Sequence, residues 1–397
     1  MKLFKLIFAL GCASAFVSAV SAQQIPDLKI GNETIQFHAF ASQGYIGSDD
    51  NNFLTMNTSS GSFAMTDFAF NASTQLSDKL RVGAQFYDYN VGHLGQWQPT
   101  LDWGYVDYKF KDWFGVRAGK VKTVLGLYND TQDTAFLYTW ALMPQSIYPL
   151  DLRASSIAHL GGDVYGHFGL KHTGSLDYTG YYGYVPFDKK GGYEYAVISA
   201  GEAITGETEW AGGGDLRWNT PVSGLMFGTS TMLSTLNGNG YAETPYGNFP
   251  FAYTTSGPLR QEAAYGDYVH NKWHFSGELR LTHELISSAS TTSNEGSKAW
   301  FVGAAYRISK HLELGSYNSR IYLDQSSTPL NTNTNHIFDQ AVTARVDLTN
   351  FWNVKVEGHF MNGYGDIYSA RGFYLGNNPA GLKPDTNMLV IRTGVNF

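Results

Sequence analysis

Arg81, Arg117, Arg280, Arg345 and Arg392, with Lys355, fall on the polar face of segments that alternate polar and apolar residues. Asp130, Asp133 and Asp151 lie together in one long connection. Residues of these types can act without breaking a bond. Acid and base facing each other across a narrow wet throat order the water between them. They penalise solutes that cannot exchange hydration for those charges, and low-dielectric walls bias the sign of the ions that pass. Arg117 lies on the segment that feeds the long connection, so it is the first choice to face Asp130 and Asp133. The bland alternative is that the wall arginines pair with Asp347, Glu357 and Glu278 and fill space. The wall charges nearly balance, which leaves the preferred ion open.

Covalent chemistry finds little support. There is no Gly-x-Ser-x-Gly elbow and no Walker loop. Gly363-Tyr364-Gly365 runs into Asp366-Ile367-Tyr368, so the third glycine of a dinucleotide fingerprint is missing. His270 and His274 could meet across a tight turn, but no third ligand accompanies them. No catalytic residue, metal or cofactor is therefore assigned. The formal net charge is -7. With neither a basic excess nor a basic patch, nucleic acid is not an expected partner.

The elements that would position the charged residues read as strands. Trp273, Phe275, Gly277, Leu279 and Leu281 oppose His274, Ser276, Glu278, Arg280 and Thr282. Val342, Ala344, Val346 and Leu348 oppose Thr343, Arg345 and Asp347. The last ten residues put Leu389, Ile391, Thr393, Val395 and Phe397 on one face, with Val390, Arg392, Gly394 and Asn396 on the other. An apolar face beside a charged one suits a wall between lipid and water. Strands are expected at 34–45, 62–76, 80–91, 100–110, 114–122, 157–170, 175–185, 210–219, 224–235, 262–270, 272–285, 297–308, 311–323, 336–348, 352–362 and 387–397. The alternation slips phase near Val106, which points to a bulge there or to a strand boundary placed wrongly. Short turns such as Leu76-Ser77-Asp78-Lys79-Leu80 join the strands at one end. Long polar connections, including 186–209, 236–261 and 363–386, join them at the other and read as variable surface. The connection from Thr123 to Ser156 differs. Its centre, Ala135 to Met143, is apolar and invites burial in the lumen or in a subunit contact.

Apolar residues make up 43% of the chain, too few for a bundle of membrane helices, yet aromatics reach 15% and there are 44 glycines. A barrel with one lipid face, one wet face and aromatic girdles needs that mixture. An open edge in lipid would leave backbone groups unpaired, so the sheet must close, and about 16 strands leave an aqueous lumen. Lys2 and Lys5 precede an apolar stretch from Leu6 to Val20, and Val20-Ser21-Ala22 has the small residues of a cleavage site. Residues 1–22 are thus expected to be a signal peptide and 23–397 a single barrel domain. Loss of the two lysines takes the net charge from -7 to -9.

This layout resembles Gram-negative outer-membrane porins of the trimeric sixteen-stranded type. The likeness spans the whole mature chain. Val116-Arg117-Ala118-Gly119-Lys120-Val121-Lys122, followed by Gly126-Leu127-Tyr128, is similar to the stretch entering the third loop in porins near the phosphate-selective group. Val124 and Leu125 stand where those relatives often carry Pro and an aromatic residue. No dense column of arginines can be assembled, so the architecture is carried over without the phosphate specificity. The resemblance implies an all-β transmembrane antiparallel β-barrel of about 16 strands, with short periplasmic turns, long extracellular loops and a third loop folded into the lumen. It implies a water-filled channel for passive diffusion of small hydrophilic solutes and ions, in the outer membrane of a Gram-negative bacterium. It further implies a homotrimer surrounded by outer-membrane lipid. The terminal Phe397 would be the insertion signal read by the barrel-assembly machinery. The pore constriction would draw on Asp130, Asp133, Asp151, Arg117, Arg81, Arg280, Arg345 and Arg392. Two alternatives belong to other classes: a barrel serving as a surface receptor through its loops, and an outer-membrane hydrolase.

Overall fold

The computed structural model describes residues 25–31, 33–288, 291–323, 332–365 and 371–397. The proposed signal peptide and its cleavage site lie outside them. After a short β1 (Leu28–Ile30), the strands are β2 (Glu33–Ser48), β3 (Ser62–Gln75), β4 (Leu80–Val91), β5 (Thr100–Lys111), β6 (Phe114–Lys122), β7 (Ala158–Gly169), β8 (Ser175–Val185), β9 (Glu202–Asn219) and β10 (Leu225–Thr244). There follow β11 (Gly247–Thr255), β12 (Leu259–His270), β13 (Trp273–His283), β14 (Leu285–Ser288), β15 (Thr291–Asn294), β16 (Ser297–Arg307), β17 (Leu312–Leu323), β18 (His336–Asp347), β19 (Trp352–Asn362) and β20 (Asp385–Asn396). Sixteen of these form a closed antiparallel wall; β1, β11, β14 and β15 are additions at its rims. Closure is made by β2 against β20, with Phe40 opposite Asn396. Beyond it, Phe397 exchanges two backbone hydrogen bonds with Ala39, at 2.8 and 3.2 Å.

The alternation sets which side chains leave the barrel. Leu279, Val302, Val342, Val356 and Phe360 are exposed outward, while their chain neighbours Glu278, Phe301, Ala341, Lys355 and His359 are buried inward. Trp210 and Trp218 bracket the outer face of β9. Eight residues at about 3.3 Å make roughly 26 Å along the strand, or about 20 Å of height at a tilt of about 40°, most of an apolar band about 25 Å tall. Introducing Arg at Leu279 should cost about 2–4 kcal/mol, whereas Val395 near the rim should cost about 0–1. Thr282→Arg, which enters the lumen side, serves as control. The heat-modified gel mobility of the three refolded variants reads the difference, and equal yields for Leu279→Arg and Thr282→Arg would contradict this facing.

Two departures from the sequence reading have local causes. The bulge is not at Val106, which pairs in register with Val82 and Ala118. It lies four residues earlier, where Gln85 faces Trp103 and Phe86 faces Leu101, leaving Asp102 as the extra residue. A bulge re-aims a side chain, and Asp102 is thereby turned inward and buried. The second departure is at the long-loop end. β9 and β10 run past the expected limits, and β10 continues as a hairpin with β11. The connections read as irregular surface at 186–209 and 236–261 thus contain strand and the helix Gly192–Ser199.

Candidate functional site

The segment 123–156 leaves β6 and lies inside the barrel, where the wall grips its backbone. Near its start, the Gly126 N–H donates to Ser230 (2.7 Å) and the Leu127 N–H to Glu278 (2.9 Å). Gly126 has φ +75°, and a Cβ there would fall 2.2 Å from the Glu278 carboxylate. Glycine is thus required both by backbone conformation and by close approach. Arg280 binds Glu278 at 2.8 Å and donates to the carbonyls of Ile147 and Leu125, both at 3.1 Å.

The apolar centre follows the adjoining wall, from β16 to β20. Arg345 donates to the Tyr138 carbonyl (3.0 Å), Lys355 to the Trp140 carbonyl (2.9 Å) and Arg392 to the Ala141 carbonyl (3.1 Å). Glu357 accepts the N–H groups of Ala141 (3.0 Å) and Leu142 (2.8 Å), a hydrogen bond from Thr343, and a contact with His359 Nε2 at 3.0 Å. Trp140 packs edge-on against Tyr317 with ring centroids 5.1 Å apart. Gly303 and Gly315 leave room for its ring: a Cβ on either would come within 3.0 Å of it. The loop's return is fixed by Arg153, which binds the bulged Asp102 at 2.9 Å and stacks 3.7 Å over the Tyr87 ring.

This arrangement divides the expected constriction residues. Arg280, Arg345 and Arg392 have side chains only 12%, 10% and 10% exposed. They sit under the loop and hold it, with Glu278, Asp347 and Asp67 as acid partners. Among the described residues, charges beside the loop that stay partly exposed include Arg117 (23%), Lys122 (22%), Asp130 (25%) and Arg217 (26%). The expected opposition of Arg117 to Asp130 and Asp133 is corrected. Arg117 pairs with Asp163, its direct cross-strand neighbour, at 2.9 Å, because that acid is closer than any on the loop. Asp130 instead meets Arg217 at 3.5 Å, and Asp133 meets Lys122 at 2.9 Å. Burial would raise the Asp133 pKa, but Lys122 and Arg153 outweigh it and hold the carboxyl below its ordinary value. Arg81 is also corrected: it follows the 76–79 turn, donates to Ser73 at 3.1 Å, and stands exposed at the short-turn mouth.

Asp151 is placed apart from the throat charges. Its buried carboxyl accepts hydrogen bonds from the Gly372 N–H (2.7 Å) and the Tyr374 hydroxyl, clasping the inner loop to the last long connection. Burial pushes its pKa up to about 6 from 3.8, against the lowering pull of those bonds and of Arg371. Between those values the folded chain binds a proton that the unfolded chain lacks. The clasp is therefore favoured in acid and loses stability as pH rises toward about 6. Amides at 371–378 should exchange faster at about pH 7.5 than at about pH 5, after correction for intrinsic rates, and Asp151→Asn should abolish the difference. An unchanged difference in that variant would assign it to another group.

Above the throat a cavity of about 680 Å³ opens toward the long-loop end. Glu207, Glu209, Glu284 and Glu295 line it, with Arg280 and Arg371 toward its floor. Glu284 is pushed up to about 8 by burial and by Glu209, Glu295 and Glu207.

No family model matches the chain, and no curated protein does. Solved structures do. The outer membrane channel DcaP of Acinetobacter baumannii aligns with a TM-score of 0.59 at 9% identity, covering 94% of this chain and 100% of that one. A loop-L8 deletion mutant of OmpT, an outer membrane protein of Vibrio cholerae, gives 0.57 at 10% identity over 92% and 99%. An anion-selective porin from Comamonas acidovorans gives 0.54 at 10% identity over 92% and 100%. At such identities the likeness establishes the fold, a closed sixteen-stranded transmembrane barrel.

Proposed function

We propose that this chain is an outer-membrane channel of a Gram-negative bacterium, passing small hydrophilic solutes and ions down their gradients without cofactor or energy source. One observation supports it above others. A loop is strapped inside a closed barrel by wall charges, and beside it Asp130, Arg217, Arg117 and Lys122 remain partly exposed to the lumen. Such a loop narrows a passage instead of stabilising the sheet, whose strand pairs are complete without it. Its ordinary setting would be outer-membrane lipid, after removal of residues 1–22 and insertion through the barrel-assembly machinery acting on Phe397. A homotrimer is part of the proposal; OmpT of Vibrio cholerae, with TM-score 0.53 at 10% identity, has been solved in a trimer form.

Planar-bilayer recording tests the reading. The folded protein should produce discrete conductance steps that scale with salt. A correctly folded preparation giving none would overturn it and favour a surface receptor acting through its loops.

A further inference from the structure

The cavity above the throat is lined by seven carboxylates and two guanidinium groups. Among the described residues that line it there is no lysine and no histidine. Arg280 is already matched by Glu278, which lies outside the cavity, and it also holds two loop carbonyls. The charge of Arg371 acts on Asp151 and Glu284 and offsets part of the remainder. Among the described residues Glu202, Glu207, Glu209, Glu284 and Glu295 form no ion pair. Burial, and then Glu209, Glu295 and Glu207, raise the Glu284 pKa. This wall thus carries more negative charge than its own cations offset.

The acids are spread along the wall. Glu207 and Glu209 lie on β9, while Glu284 follows β13 and accepts the Glu295 N–H on its carbonyl at 2.9 Å. Register carries the wall from Glu209 to Leu236, from Ser234 to Leu259 and from Arg260 to His283. Glu209 and Glu284 therefore stand three strand steps apart, roughly 14 Å of wall at about 4.8 Å a step. Between them Leu236 and Leu259 face the cavity. Among the described residues no three acids or histidines are placed to hold a metal ion. Toward the floor, Asp151 lines the same cavity and is only 2% exposed. One of its oxygens keeps the clasp on Gly372 and Tyr374. The other accepts no hydrogen bond among the described residues. A buried acceptor left this way costs free energy until a donor meets it.

We infer that this cavity binds a linear aliphatic oligoamine, its ammonium groups taken by Asp151, Glu209 and Glu284 and its methylenes laid over Leu236 and Leu259. Such a molecule carries several positive charges a few bonds apart on an apolar chain. It can meet separated acids while covering the leucines between them, which a single metal ion cannot do. Ammonium–carboxylate hydrogen bonds are charge-assisted. The cavity, at about 680 Å³, falls within the roughly 300–1,000 Å³ of small-ligand sites. The inference rests on the channel reading above and names a solute class that its outer vestibule would collect. Binding is read without current. A barrel that binds the amine yet passes no ions would sink the channel alone, and one that conducts without binding would sink the site alone.

The test titrates spermidine into the full folded protein in detergent, in dilute neutral buffer, and follows the heat by isothermal calorimetry. Wild type should bind spermidine saturably and about tenfold or more tightly than propylamine, which carries one charge. The Glu209→Gln/Glu284→Gln pair should weaken spermidine roughly tenfold, since each ammonium–carboxylate contact contributes on the order of a fewfold. Glu243→Gln, at an exposed acid near the tip of β10 that does not line the cavity, should bind as wild type does. Unchanged affinity in the double variant, once its folding is verified by heat-modified mobility, overturns the site. Should that variant not assemble, wild type that binds spermidine no better than propylamine overturns it. An equal loss in Glu243→Gln, or displacement by magnesium as effective as that by a second oligoamine, would reduce the acids to a diffuse negative field and overturn it as well.

Discussion

Glu357→Gln should raise single-channel conductance while leaving a barrel that refolds. The Glu357 side chain is fully buried and serves two loop N–H groups, Thr343 and His359 at once. A Gln amide offers a single acceptor oxygen, so whichever way it turns its NH2 group faces one of the two loop N–H groups, which can only donate. Each buried donor left unmatched costs about 1–3 kcal/mol. That penalty falls on the loop, because β19 keeps its complete pairing with β18 and β20. The loop should therefore detach around Ala141 and swing within the lumen, with larger and noisier steps in planar bilayers. Glu357→Asp, which keeps the charge, should lie between wild type and Gln. Unchanged conductance in a folded Gln variant would show that the segment 135–148 does not set the bore.

Arg217→Gln should raise the cation-to-anion permeability ratio, and Asp130→Asn should lower it. The two groups face each other at 3.5 Å and are each about a quarter exposed, so both can act on passing ions. Arg117→Gln should act in the direction of Arg217→Gln but less strongly, because Asp163 remains beside it. Asp133 has a side chain only 1% exposed. Asp133→Asn should therefore loosen the loop at Lys122 more than it changes selectivity. Reversal potentials in a salt gradient measure the ratio. Differences should shrink in strong salt, as the Debye length contracts from about 10 Å at 0.1 M to about 3 Å at 1 M. Identical reversal potentials for Arg217→Gln and wild type in dilute salt would remove this pair from the throat.

The wall was legible in the chain because a two-residue period survives in any strand with lipid on one side and water on the other. Val342 to Leu348 and Trp273 to Leu281 show it without interruption. The Arg345–Asp347 and Arg280–Glu278 pairs were legible for the same reason, since residues two apart share a face. What the wall cations do to the loop was not legible. Carbonyls of Tyr138, Trp140 and Ala141 have no signature of their own, and which cation reaches them depends on how the loop crosses the lumen. Arg217 was on the correct parity of β9 but 87 residues from Asp130 in sequence. The Arg117–Asp163 pairing needed the β6–β7 register, which lies across the whole inner loop. Asp102 was hidden by a bulge that breaks the very period used to read the strand.

Several of the wall's holds on the inner loop engage its main chain. Arg280, Arg345, Lys355 and Arg392 seize carbonyls, while Ser230, Glu278 and Glu357 take N–H groups. Main-chain groups are common to nearly every amino acid. Where a side chain such as that of Gln132 takes no part in these holds, it can be exchanged without cutting them. The barrel thus offers natural variation a lining that can change its chemistry while its course through the lumen stays put. Gly126, with Glu278 against its Cα, is a place where that freedom stops.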